Sequence, residues 1–165
     1  MLIFQVTRGR RPQQEVAPQP IAFDVNQVQA ARRQVDNVRS VLQETFGGLG
    51  RQQTINTDQF AADFARRAQG RVNTAVIAAT QIRIRQLANG PTVSVNSLRE
   101  ALDREMITAQ IDMARFAGGC DLASTHQHAP FRSIVSEITR AAVMSQLSEI
   151  SRNQVVARHG IPVIQ

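Results

Sequence analysis

The stretch VNQVQAARRQVDNVRSVLQETF, residues 25–46, decides the fold class. Val28, Ala31, Val35, Val38, Leu42, Thr45 and, beyond it, Leu49 are spaced alternately three and four apart. A helix gathers residues at that spacing into one narrow stripe, the seam of a helix that packs against another long helix. Arg32, Arg33 and Arg39 fall off the seam. Asp24 or Asn26 stands where a cap accepts the first free N–H groups, and Gly47, Gly48 and Gly50 stop the helix.

Outward from this helix the same period recurs. A second and longer helix is expected over 58–88, capped by Thr57 or Asp58 and ended by Asn89-Gly90-Pro91. Its stripe is Ala61, Phe64, Ala68, Val72, Ala75, Ala79 and Ile82, with Gly70 inside it at a cost of roughly 1 kcal/mol against alanine. That glycine marks a bend or a tight crossing. A third helix, 97–117, opens on a capping box from Ser97 to Glu100, with Leu98, Leu102, Met106, Ala109, Met113 and Phe116 as its core face. Glu100 and Arg104 are spaced as an i,i+4 pair. A fourth helix is expected from Pro130 to His159. Its apolar face, Phe131, Ile134, Val135, Ile138 and Ala142, rotates after Val143 to Leu147 and Ile150, which suits two partners, one of them another subunit. Val93-Ser94-Val95 and Ile82-Arg83-Ile84 alternate but are too short to read as strands. The expectation is an all-α fold of about four helices in a bundle-like arrangement, with an extended N-terminal arm. Residues 1–24 form the arm, 25–160 a single helical domain and 161–165 a short apolar tail.

Composition removes whole classes of function. The 165 residues contain no lysine, so all nineteen Lys/Arg positions are arginine, against thirteen acids, and the net charge is +6. Without lysine there is no P-loop lysine and no Schiff-base or pyridoxal-phosphate chemistry. Cys120 is the single cysteine, which excludes an intramolecular disulfide. Residues 1–6 are apolar, but the run is too short for a signal peptide and its arginines follow rather than precede it. No later run approaches the ~18 apolar residues of a spanning helix. Cys120, Asp121, His126 and His128 are the one possible metal cluster, but Cys-x5-His-x-His is no familiar zinc spacing and the reading is a polar loop without metal. No paired carboxylates or nucleophile–base arrangement stands out, so the chain reads as non-enzymatic, with no cofactor. Glu100, Asp103 and Asp112 read instead as ion-pair partners of Arg99, Arg104 and Arg115.

Charge carries the functional reading. Between Phe64 and Arg99 lie Arg66, Arg67, Arg71, Arg83, Arg85 and Arg99 and no acid. On a continuous helix Arg67, Arg71 and Arg85 share one flank, able to track a phosphate backbone through planar, permanently charged guanidinium groups. The same arginines also suit a solvated face whose partner acids come from the third helix. The arm adds Arg8, Arg10 and Arg11, followed by Pro12, Pro18 and Pro20 among glutamines. Its tip, Leu2, Ile3, Phe4 and Val6, is apolar and is expected to dock on a neighbouring subunit. With no tyrosine or tryptophan, base stacking would fall to the seven phenylalanines, so the sugar–phosphate backbone is the expected target.

An arginine-bearing arm ahead of helices with narrow apolar seams resembles the helical coat proteins of rod-shaped and filamentous viruses. Residues 89–98, Asn-Gly-Pro-Thr-Val-Ser-Val-Asn-Ser-Leu, resemble a stretch of the internal virion proteins of short-tailed phages. The resemblance implies a self-assembling structural protein of the virion, coat or internal, touching nucleic acid through arginines. The alternatives are a cellular, sequence-indifferent DNA-binding or DNA-accessory helical protein in the cytoplasm, and a helical module whose basic faces meet acidic protein.

Overall fold

The seam of residues 28–45 folds as read, into helix α1, Val25–Phe46. Asp24 closes a capping box: its carboxylate accepts from the Gln27 N–H (2.8 Å), and the Gln27 side chain accepts from the Asp24 N–H (2.9 Å). Val28, Ala31, Val35, Val38, Leu42 and Thr45 are all buried, and Val41 and Phe46 widen the stripe. The chain after it runs β1 (Thr54–Asn56), α2 (Thr57–Ala68), α3 (Thr74–Ala88), β2 (Thr92–Ser94), α4 (Val95–Gly118), α5 (Glu137–Met144) and α6 (Glu149–His159). This is a computed structural model, and it describes residues 23–118, 131 and 133–159. They are predominantly helical, with one small two-stranded sheet. The arm's residues 1–22 and the tail 161–165 lie outside the described residues. Phe23, which the sequence places in the arm, is buried edge-on against Phe116 at a centroid distance of 5.1 Å.

The expected second helix is two helices. Between Ala68 and Thr74 the chain reverses, and Gly70 takes a left-handed φ of +82°. Helix α1 satisfies backbone groups that this break frees: Gln34 Oε1 accepts from the Asn73 N–H (2.7 Å), and Asn37 Nδ2 donates to the Arg71 carbonyl (2.8 Å). These contacts come from 39 and 34 residues away in the chain, so no local pattern announces them. α2 then packs back on α3, and both meet α1. Ala61, Phe64, Ala68, Val72 and Ala79 are buried, but Ile82 stays 42% exposed because α3 turns Val76, Thr80 and Ile84 inward instead. A methyl group at Gly70 would meet no atom within 4 Å, so only the backbone resists it. Gly70→Ala is therefore expected to cost about 1–2 kcal/mol, visible as a lower urea midpoint at unchanged slope.

Each strand of the sheet is three residues long, too short for the alternation of a strand to show in the sequence. β1 and β2 pair antiparallel, with Ile55 opposite Val93, and tie the start of α2 to the start of α4. Asn56, rather than Thr57 or Asp58, caps α2 by accepting from the Gln59 N–H (2.8 Å). Thr57 instead clasps the turn after α3: its hydroxyl donates to the Gly90 carbonyl (2.7 Å) and its N–H to that of Pro91 (2.9 Å). Asn89 ends α3 in left-handed backbone, as the Asn-Gly-Pro stop implies. α4 begins at Val95, two residues early, because Ser94 accepts from the Ser97 N–H (3.1 Å); Ser97 is not the cap. Its core face, Leu98 to Phe116, is buried as read.

The expected fourth helix is also two, and the first of them begins only at Glu137, because residues 133–136 are not helical. Ser136 caps α5 by accepting from the Ile138 and Thr139 N–H groups, and residues 145–148 separate α5 from α6. The rotating apolar face is this break, not one helix with two partners. Phe131, Ile134, Ile138, Ala142, Val143 and Leu147 are buried, while Val135 and Ile150 are exposed. Pro130 lies outside the described residues. About four helices was thus an undercount, caused by two breaks that carry no proline. Among the described residues no helix is long and apolar enough to cross a membrane.

Candidate nucleic-acid interface

The break after Ala68 redistributes the arginines. Arg66, Arg67 and Arg71 gather at the C-terminal end of α2, beside α1. Arg66 and Arg67 both pair with Asp63, the latter at 3.3 Å, and Arg71 pairs with Glu44 of α1 at 2.8 Å. The hydrogen bond from Arg71 holds the Glu44 carboxyl below its usual range; desolvation opposes it, and the charges of Arg71 and Arg67 add to the lowering. The same bond raises the Arg71 guanidinium. A depressed carboxyl favours the fold above its ordinary pKa, so this pair's contribution is present at neutral pH and is lost as pH falls through the lowered value.

Arg85 pairs with Asp58 (3.0 Å) at the opposite end of α2, nine residues and about 14 Å of helix from Arg67. The single flank of Arg67, Arg71 and Arg85 therefore does not form. Arg83 is apart again: its Nε donates to Glu105 of α4 at 2.8 Å, and Glu105 is buried. Of these partner acids only Glu105 comes from α4; the others come from α1 and α2. Arg8, Arg10 and Arg11 lie outside the described residues. Among the described residues no ion pair joins Glu100 to Arg104, or Asp103 or Asp112 to Arg99, Arg104 or Arg115. Asp112 is buried and accepts backbone N–H groups instead.

Arg66 and Arg67 line a groove of about 680 Å³ between the end of α1, β1 and α2. Gln53, Thr54, Asn56 and Gln59 give it amides and a hydroxyl, Asp63 a carboxylate that pairs with both arginines, and Leu49 and Phe60 its apolar part. Residues 51–56 connect two helices, and a connection of that kind has no periodicity that would mark the groove in the sequence. Two signals were there: the polar run Gln52-Gln53-Thr54 and the spacing of Asn56 and Gln59 ahead of the two arginines. Arg66 and Arg67 keep 68% and 42% of their side-chain surface exposed. Exposed pairs of this kind contribute little, so a guanidinium can exchange its carboxylate for a phosphate at small cost.

All six described phenylalanines, 23, 46, 60, 64, 116 and 131, are buried. Phe60 borders the groove but is only 4% exposed, so among the described residues no aromatic ring offers a free face for a base to stack on. No group of three His, Cys, Asp or Glu residues there is placed to hold a metal; Cys120, Asp121, His126 and His128 lie outside them. No family model, curated protein or solved structure matches the chain.

Proposed function

We propose that this is a non-enzymatic, self-assembling structural protein that holds nucleic acid by its sugar–phosphate backbone. Its helices form a bundle-like body with an N-terminal arm, and its place is in a virion, as coat or internal component. The observation that supports this is the groove beside α2: two exposed guanidinium groups next to amides and a hydroxyl, the groups that contact phosphate and sugar. The burial of every described phenylalanine favours backbone contact over base readout. Arg71 extends the basic edge toward α1, and Arg8, Arg10 and Arg11 add a second basic element. Arg83 is assigned to the core instead.

Binding to duplex DNA measured across a salt series tests the groove. Replacing Arg66 and Arg67 with glutamine is expected to reduce the magnitude of the log–log salt slope by about 0.9 per lost phosphate contact. An unchanged slope with unchanged affinity would move the contact to the arm. A second reading has one observation in its favour. Each of the five arginines from Arg66 to Arg85 already holds a carboxylate, which suits basic faces that meet acidic protein. Absence of any salt-dependent binding to nucleic acid would select it.

A further inference from the structure

α1 and α4 lie antiparallel: Phe23 meets Phe116 at one end, and Arg99 lies over the Phe46 ring, 5.3 Å from its centroid, at the other. Near that second end the two helices leave a cleft of about 310 Å³, lined by Arg39, Gln43, Arg99 and Asp103. The apolar side chains beneath them, Phe46 and Leu102 among them, are 1–4% exposed, so apart from Ile107 at the rim the cleft presents polar groups. Two cations there face one carboxylate, and among the described residues neither Arg39 nor Arg99 is in an ion pair, with Asp103 or any other acid. The groove beside α2 differs in this respect. Arg66 and Arg67 must each release Asp63 to take a phosphate, while Arg39 and Arg99 release no carboxylate. Arg99 is also held by the ring beneath it, which lowers the cost of ordering its side chain on a ligand.

We propose that Arg39 and Arg99 form a second contact for the sugar–phosphate backbone, next to the groove. The inference rests on the nucleic-acid reading and extends the path of the strand. The two sites adjoin: Phe46, which lines the cleft, packs on Phe60, which lines the groove, at a centroid distance of 4.7 Å. Arg39 precedes Phe46 by two turns, about 10 Å of helix, and Arg99 lies at the level of Phe46. That span is about three nucleotides of one B-form strand, at about 3.4 Å each. Gln43, one turn after Arg39, is exposed and adds an amide between the two guanidinium groups. A strand that leaves the groove at the end of α1 meets Arg99 first and Arg39 about three nucleotides further on. Unpaired, planar and permanently charged, both guanidinium groups suit a phosphate oxygen.

Binding of the full chain to duplex DNA across a salt series tests this. The double variant Arg39→Gln, Arg99→Gln is expected to reduce the magnitude of the log–log slope by about 0.9 per lost contact, in addition to the loss from Arg66→Gln and Arg67→Gln. The double variant Arg39→Lys, Arg99→Lys keeps both charges and is expected to keep the slope. Unchanged far-ultraviolet circular dichroism checks the fold of each. If the glutamine variant keeps slope and affinity while Arg66→Gln and Arg67→Gln lower them, this inference fails and the groove stands. If the slope falls equally with lysine and with glutamine, the packing of Arg99 rather than charge carries the effect, and the inference fails as well. A slope that falls with the glutamine variant of the cleft alone keeps the inference and takes the groove out of the path. If the unaltered chain shows no salt-dependent binding, the nucleic-acid reading fails and this contact with it.

Discussion

Replacing Asp112 with alanine is expected to destabilise the fold by about 3–5 kcal/mol, roughly 6–20 °C in melting temperature for a chain of this size. Asp112 is 1% exposed on α4, and its Oδ2 accepts from the Val135 and Ser136 N–H groups at 3.0 and 2.8 Å. Hydrogen bonds to a charged acceptor contribute about 1.5–3 kcal/mol each, and the Ser136 N–H would be left buried without a partner. Ser136 is itself a junction. Its hydroxyl donates to Glu105 Oε2 (2.8 Å) and accepts from the first N–H groups of α5. Losing Asp112 therefore loosens the attachment of α5 to α4 as well as two bonds. Asp112→Asn keeps an acceptor oxygen where both N–H groups converge and is expected to cost only about 1–2 kcal/mol. Thermal unfolding followed by circular dichroism separates the two. Equal losses would mean that the charge, not the acceptor's position, holds the segment.

This site shows where a one-dimensional reading stops. A carboxylate at position 112, three residues before Arg115 on a helix, reads as an ion-pair partner because helical neighbours are all the sequence displays. Its real partners are 23 and 24 residues away. The same holds at Gly70, where a mid-helix glycine cost only about 1 kcal/mol on paper. The Gln34 and Asn37 side chains that satisfy the broken ends sit on α1 and make the reversal affordable. What periodicity could see, it saw: the α1 seam with its Asp24 cap, the α4 core face and the stop at Asn89 depend on neighbours within one or two turns. The groove beside α2 depended on knowing that residues 54–56 form a strand edge next to Arg66 and Arg67, and a three-residue strand has no period to detect.

Arg83 is where basicity and function part company. It belongs to the acid-free window that suggested phosphate contact, yet its guanidinium lies over Glu105, which is 7% exposed. Removing one partner of a buried pair leaves an uncompensated charge, at about 3–5 kcal/mol; the Arg83 side chain is about one-third exposed, which reduces this, and Ser136 still donates to Glu105. Arg83→Gln is therefore expected to cost about 2–4 kcal/mol. Adding Glu105→Gln removes the stranded charge, so the double variant is expected to be more stable than Arg83→Gln alone, a coupling that a double-mutant cycle reads directly. At a temperature where the folded state persists, Arg83→Gln is expected to leave the salt slope of DNA binding unchanged, while Arg66→Gln and Arg67→Gln lower it with little loss of stability. A slope that falls with Arg83→Gln while the protein remains folded would return this residue to the binding face and take it out of the core.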